Sequence, residues 1–309
     1  MREERRELAH LARKRVSRTI DRTGLRLMAR VRPAAPPVRP VFIIGCPRSG
    51  TTLTSALLRR HPELAGTGAE GHLLWDAHQH PSDKGWGSDR SVADDIARGE
   101  PRFLNAAIHR ISGEKRFVDK TPKNAVRIPY LNALFPDASF VFVTRDARPN
   151  VASLIEGWTL RHGISCRVPE TLDIGVYQGR LWCYILPPGW REVTHAPVEE
   201  VAAFQYVRTN EIAQDDLAAL EPSRVVTVRF EDLLASPQET ATHLLDGLGL
   251  PPSDAVMRFA GTLDEHPVSV VTQPRPDKWR ERQAQIAAVM PTLAPAMRRL
   301  GYTVEEVAG

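Results

Sequence analysis

The segment Val41-Phe42-Ile43-Ile44-Gly45-Cys46-Pro47-Arg48-Ser49-Gly50-Thr51-Thr52 constrains this chain more than any other. Val41 to Ile44 is an unbroken apolar run, as expected of a parallel strand buried on both faces. Gly45 to Gly50 reads as a tight loop, and Thr51 to Arg60 carries apolar residues at helical spacing. A strand, a glycine-bounded loop and a helix in that order form a phosphate cradle, because loop and helix N–H groups converge on an anion. The spacing Gly45-x-x-x-x-Gly50 matches a Walker A loop up to its last step, where Thr51 stands in place of lysine. Without the lysine that reaches the β/γ-phosphates, ATP or GTP hydrolysis is disfavoured while the anion-binding backbone remains. Arg48 places a cation inside the loop instead, and a guanidinium can fork onto phosphate or sulfate.

At its length the chain could form one large α/β domain or two small ones. Its 309 residues are 42% hydrophobic, enough for a sizeable core. The net charge of +4 is uneven: residues 1–40 hold 12 basic and 4 acidic residues, a net of +8, so the remainder sums to −4. The charge therefore belongs to an N-terminal arm and not to a basic body that would grip nucleic acid. Cys46, Cys166 and Cys183 are too few and too scattered for a disulfide framework or a zinc site, which fits a reducing cytoplasm. No apolar run approaches the roughly 20 residues that span a bilayer, and the N-terminus lacks the apolar segment of a secretory signal. Abundant Arg, Ala and Pro with few Lys point to a GC-rich bacterial gene.

Further along, residues 4–31 form a basic segment with Leu8, Ala12, Val16 and Ile20 at i,i+4 spacing, suited to packing on the body or lying on a membrane surface. Pro33 to Pro40 is a stiff linker. Leu64 to Gly71 reads as a glycine-broken connection, and 76–101 as a polar, mobile excursion. Phe117-Val118 is a short strand leading into Asp119-Lys120-Thr121-Pro122, followed by a helix from Lys123 to Phe135. Ser139 to Thr144 is the clearest strand, with Arg145-Asp146 at its carboxyl end and a helix from Ala147 to Leu160. Residues 158–208 gather Trp158, Trp182, Tyr184, Trp190 and Tyr206 among Pro and Gly, and read as an insertion or cap at the acceptor side. Val225 to Phe230 is another strand, Glu231 to Leu248 a helical region, and Gln283 to Leu300 a last helix. Strands alternating with helices predict an α/β fold: a three-layer, P-loop-like core with a central parallel sheet and helices on both faces. Ligands bind such sheets at the carboxyl ends of the strands.

The loop Pro47-Arg48-Ser49-Gly50-Thr51-Thr52 resembles the 5′-phosphosulfate loop of sulfotransferases that use 3′-phosphoadenosine 5′-phosphosulfate (PAPS). The similarity covers about residues 40–302, weakly over 76–110 and 160–205, and is nearest the tyrosylprotein sulfotransferase-like branch. It implies that Arg48, Ser49, Gly50, Thr51 and Thr52 hold the 5′-phosphosulfate. Lys120 lies at a strand end facing that loop; Lys120-Thr121-Pro122 resembles a stretch whose lysine stabilises the leaving phosphate. Val143 to Ser153 resembles the 3′-phosphate segment, which would give Arg145 and Ser153 that role. Arg229-Phe230-Glu231-Asp232-Leu233 departs from the family's usual Arg-Tyr-Glu-Asp-Leu by losing a hydroxyl at Phe230. Ser269 to Trp279 resembles the loop that closes over the nucleotide, with Lys278 a phosphate contact. Glu70 stands near the family's catalytic glutamate, and His72, Asp76 and His78 are alternative bases.

The sequence thus predicts direct in-line sulfuryl transfer from PAPS to a hydroxyl or amine, with Lys120, Glu70 and Arg48 catalytic and no bound metal. Sulfuryl transfer builds charge on the leaving phosphate and the sulfuryl oxygens, so fixed cations and N–H donors matter more than covalent chemistry. A small-molecule, glycan or peptidyl acceptor fits equally, and a homodimer is open to the chain. The alternatives are a nucleotide or small-molecule kinase with a degenerate Walker A loop, and a non-catalytic nucleotide-binding protein.

Overall fold

The computed structural model describes residues 34–68, 70–263 and 277–304. The basic segment 4–31 and most of the closing loop that begins at Ser269 lie outside them. A five-stranded parallel sheet is built from β1 (Val41–Ile44), β2 (Leu64–Gly66), β3 (Arg116–Lys120), β4 (Ser139–Thr144) and β7 (Val225–Arg229), in the order β2-β3-β1-β4-β7. The glycine-broken connection expected over 64–71 thus begins as the edge strand β2.

Alternation along the strands separates two cores. Val41, Ile43, Val118, Val141, Val143, Val226 and Val228 face α1 (Thr51–Leu58), α8 (Pro237–Gly247) and α9 (Asp254–Gly261), which contribute Leu57, Leu244 and Val256. Phe42, Ile44, Phe117, Phe140 and Phe142 face the other way, onto Trp75 of α2 (His72–Gln79), Phe103 of α3 (Glu100–Ser112) and Leu131 of α4 (Ile128–Leu134). One face is β-branched and the other aromatic.

A third core lies beside the sheet. Helix α5 (Ala147–Thr159), an antiparallel hairpin of β5 (Ile164–Asp173) and β6 (Gln178–Cys183), α6 (Val198–Ala218) and α10 (Gln283–Arg299) pack together. Trp158, Trp182 and Trp190 stack edge to face at its centre, with ring centroids 5.2 and 5.5 Å apart, and are fully buried with Tyr206. The aromatic residues expected to cap the acceptor site are therefore mostly the core of a lobe.

Two predicted helices are each broken at a proline. Pro122–Val126 is a 3-10 turn and α4 starts afresh at Ile128, because Pro129 could not continue a helix through the carbonyl of Ala125. Likewise α7 (Phe230–Ala235) ends before Pro237 opens α8.

The largest departure is in 76–101. Instead of a mobile excursion, the segment contains the second half of α2, and Asp89, Ser91 and Glu100 are fully buried. Part of its polarity belongs to an interior ion cluster: Lys123 and Arg127 both pair with Asp76 and Asp89, at 3.0 to 3.3 Å. Among the described residues no helix is long and apolar enough to cross a membrane.

Candidate active site

Adjacent strands β3, β1 and β4 end side by side, with Ile43 opposite Lys120 and Ile44 opposite Phe142. Three loops leave that edge, carrying Arg48 after β1, Thr121 after β3 and Arg145-Asp146 after β4. The sheet register alone therefore brings together residues far apart in sequence.

The first loop is tightly built. Arg48 has φ 71°, a left-handed conformation that costs a non-glycine residue about 1–2 kcal/mol. Gly50 (φ 102°) caps α1, and a Cβ there would lie 2.1 Å from the Phe230 ring. Only glycine allows both the backbone turn and that approach. The Ser49 amide is already bonded to the Cys46 carbonyl at 3.1 Å, so of the amides expected to bind an anion it is committed within the loop. Thr51 and Thr52 open the helix and have no carbonyl four residues back within it, so their N–H groups are left available to an anion. The Ser49 hydroxyl is buried with no partner among the described residues, as a donor awaiting a ligand oxygen would be.

Arg48 Nε donates to Ser153 Oγ at 3.0 Å. Arg145 Nη1 donates to the Arg48 carbonyl at 2.8 Å, and its guanidinium lies 4.6 Å over the Phe230 ring. Burial pushes Arg145 down to about 10, with Glu231 offsetting and Arg48 adding to the fall, so it stays charged at neutral pH. Arg145 Nε is buried without a partner among the described residues. Phe230 needs no hydroxyl in this place: its ring is wedged between Gly50 and Arg145. Glu231 accepts from the Asp146 amide at 3.0 Å and from Tyr302 at 2.8 Å, fixing the start of α5. Lys278 pairs with Glu156, also on α5, at 2.8 Å.

The second cluster joins β3 to α2. Lys120 Nζ lies 2.7 Å from Glu70 Oε1, and His72 Nε2 touches the other carboxylate oxygen. Burial raises the Glu70 carboxyl, but the His72 hydrogen bond and the His72 and Lys120 charges prevail and hold it at about 2. Of the alternative bases, only His72 shares this place. Asp76 is buried between Lys123 and Arg127, whose charges overcome its desolvation and keep it ionised well below the usual carboxylate range. The His78 ring packs edge-on against Phe103.

Of the neighbours, Asn150 and His162 carry no signal in the sequence, whereas Tyr184 belongs to the aromatic group of 158–208. Asn150, one turn into α5, supports the loop when its amide is turned to suit its neighbours, the oxygen then accepting from the Ser49 amide at 3.1 Å and the nitrogen donating to the Pro47 carbonyl at 3.3 Å. His162 and Tyr184, from the lobe, both feel the Arg48 charge. Burial and Arg48 lower His162, with Glu70 opposing, while burial raises the Tyr184 phenol. The Tyr184 ring packs against Gly157 and Gly163, and its buried hydroxyl has no partner among the described residues. Lone polar residues on a helix or hairpin give no motif, so only the tertiary fold reveals them.

Comparison with known proteins agrees with this geometry. A model of the sulfotransferase family matches residues 40–167, which include the first loop, Glu70, Lys120, Arg145 and Ser153. The nodulation protein NoeE of Sinorhizobium fredii (strain NBRC 101917 / NGR234) is 28% identical over 243 residues, spanning 71% of this chain and 52% of NoeE. Human protein-tyrosine sulfotransferase 1 is 32% identical over 151 residues, 45% of this chain and 40% of that protein. This chain thus spans about half, or less, of these relatives' length. Among solved structures, sulfotransferase STF9 of Mycobacterium avium superposes with a TM-score of 0.61 at 14% identity, covering 88% of this chain and 79% of that one, which is a likeness of fold. With the loop, the strand-end cations and the sheet order on one side and these matches on the other, the chain is similar to sulfotransferases, in sequence over residues 40–167 and in fold over most of its length.

Proposed function

We propose that this protein transfers a sulfuryl group from PAPS to a hydroxyl or amine acceptor by direct in-line displacement. The observation that carries this reading is the Lys120–Glu70 pair at 2.7 Å, set at the carboxyl edge of the sheet one strand from a phosphate loop that has Arg48 and lacks the Walker lysine. In the proposed reaction the acceptor oxygen or nitrogen bonds to sulfur as the bond between sulfur and the bridging phosphate oxygen breaks. The acceptor proton passes to Glu70, and the charge left on the 5′-phosphate is met by Lys120, Arg48 and the amides of Thr51 and Thr52. The products are the sulfated acceptor and adenosine 3′,5′-bisphosphate. With a carboxyl held at about 2, Glu70 is ionised at neutral pH and able to take a proton. It is a weak base while Lys120 neutralises it, and a donor that draws Lys120 onto its bridging oxygen strengthens it when the proton must move.

The reading assigns the 3′-phosphate to Arg145 and Ser153, with Lys278 a further cation along α5. Both Arg145 and Ser153 also hold Arg48, so their substitution is expected to disturb the first loop as well. The 3′-phosphate share appears in a ratio. A hydrogen bond to a charged group contributes about 1.5–3 kcal/mol. Arg145→Ala should therefore lower the preference for the bisphosphate over AMP by about 10- to 150-fold, and Ser153→Ala more mildly. Equal losses for both nucleotides in calorimetry at fixed salt would make Arg145 a loop support alone.

Donor choice tests the function as a whole. Calorimetry should show the bisphosphate binding equally well with and without Mg²⁺, and ATP binding weakly. Tight, Mg²⁺-dependent ATP binding would replace this reading with that of a kinase. The acceptor class is approached by turnover assays with PAPS against sugar, peptidyl and small phenolic hydroxyls.

A further inference from the structure

Next to Lys120 in β3 stands Asp119, a fully buried carboxylate that the proposed reaction does not use. Successive strand residues point to opposite faces, so Asp119 shares the aromatic side with Phe117 while Lys120 points to the other. On that side it accepts from Trp75 Nε1 at 3.1 Å, Asn124 Nδ2 at 3.0 Å and Thr121 Oγ1 at 3.2 Å. Thr121 Oγ1 in turn accepts from the Gly71 amide at 2.8 Å. The turn carrying Glu70 and His72 is thereby fastened twice to the strand that carries Lys120, once at Gly71 and once through Trp75 in the first turn of α2.

The fit at Gly71 shows how close this fastening is. A Cβ on Gly71 would lie 2.3 Å from Asp119 Oδ1 and 3.0 Å from Trp75 Nε1, so the turn rests directly on the carboxylate. Burial raises the Asp119 carboxyl to about 6, with the Thr121 and Trp75 hydrogen bonds and the His72 and Lys120 charges opposing, so it is ionised at neutral pH. A buried carboxylate met only by donors is specific in its demands. Asparagine would turn one acceptor oxygen into a donor, leaving Thr121 or the Trp75–Asn124 pair without an acceptor.

We propose that Asp119 is a positioning residue, which acts through Thr121 and Trp75 to hold Glu70 against Lys120. This rests on Lys120 and Glu70 being the reacting pair, as argued above. Misplacement of a catalytic group by about 1 Å can cost on the order of 10²-fold in rate.

The test uses the full chain and two readouts, one of which needs no turnover. Asp119→Asn and Thr121→Val should each lower kcat by about 10²-fold, with bisphosphate affinity within about threefold of wild type. Thr121→Ser, which keeps the hydroxyl, should retain wild-type kcat. Amide hydrogen exchange at neutral pH should show the Gly71 amide losing at least about tenfold of its protection in Asp119→Asn, although the acceptor of that amide, Thr121, is unchanged. An unaltered Gly71 exchange rate in Asp119→Asn, or an unaltered kcat, would overturn the proposal. A parallel fall in bisphosphate affinity would also overturn it, by showing a general structural loss. If the wild-type protein transfers no sulfuryl group, the function proposed above fails, while the exchange measurement still decides whether Asp119 anchors the Glu70 turn.

Discussion

Replacing Glu70 with glutamine will lower turnover by about 10²–10⁴-fold, the range expected when a general base is lost. Glutamine keeps the shape and can still accept from Lys120, so the bisphosphate should bind as it does to the wild type. Lys120→Ala should be at least as damaging to turnover and equally silent in bisphosphate binding. Its charge matters most as the bridging bond breaks, and an interaction strongest in the transition state appears in kcat rather than in ground-state affinity. The pair also predicts a pattern. Once Lys120 is gone, Glu70 loses an opposite charge at 2.7 Å, so its carboxyl should rise from about 2 towards the ordinary range. Turnover of Lys120→Ala should then become more sensitive to acid than that of the wild type. Unchanged turnover for Glu70→Gln would pass the base role to His72, because Asp76 is locked in the interior cluster and His78 faces Phe103.

What could be read in the sequence was whatever has a local signature. Val41 to Ile44 and Ser139 to Thr144 are continuous apolar strands, and both occur at the expected residues. Parallel order follows from strands alternating with helices, and it carries Arg48, Lys120 and Arg145 to one edge of the sheet. The failures are equally local. Helix α6 hides because its buried positions include Gln205, Thr209 and Asn210. Gln205 is satisfied there, accepting from Trp158 Nε1 at 2.9 Å and donating to the Cys183 and Ile185 carbonyls, so no apolar stripe is needed. The segment 76–101 misleads for the same reason, since Asp76, Asp89 and Glu100 are partnered inside the protein, although Asp83, Asp94 and Arg98 are exposed. Asp119 sits within a motif whose lysine draws the eye, and only the third dimension shows what its carboxylate holds. Hydrophobic periodicity finds cores made of hydrocarbon; it does not find cores made of satisfied polar groups.

The interior cluster supplies the second large effect, on folding. Arg127 is fully buried; it donates from Nη2 to Asp76 at 3.0 Å and from Nε to the Asp89 carbonyl at 2.9 Å. Lys123 completes a set of two cations and two carboxylates. Asp89 extends it to the lobe, accepting from the Leu186 amide at 2.8 Å and donating its own amide to the Leu186 carbonyl at 2.7 Å. Arg127→Met should remove about 3–5 kcal/mol of stability, because it leaves two carboxylates in the interior facing one ammonium. Asp89→Leu should cost a similar amount, since it leaves Lys123 and Arg127 sharing Asp76 alone and the Leu186 amide without its acceptor. Urea unfolding at neutral pH measures both, read as a shift in midpoint at constant slope. The pH dependence has a definite sign. Asp76 is held ionised far below its unfolded range by Lys123 and Arg127, so its contribution is present above about pH 4 and lost only as the medium turns strongly acid. Arg127→Met should accordingly unfold at a higher pH on acidification than the wild type. A change below about 1 kcal/mol would mean that water reaches these charges and that they behave as a surface pair does. Replacing Asp76, Asp89, Lys123 and Arg127 together by apolar residues of similar volume should cost less than Arg127→Met alone, because no charge is then left without its partner.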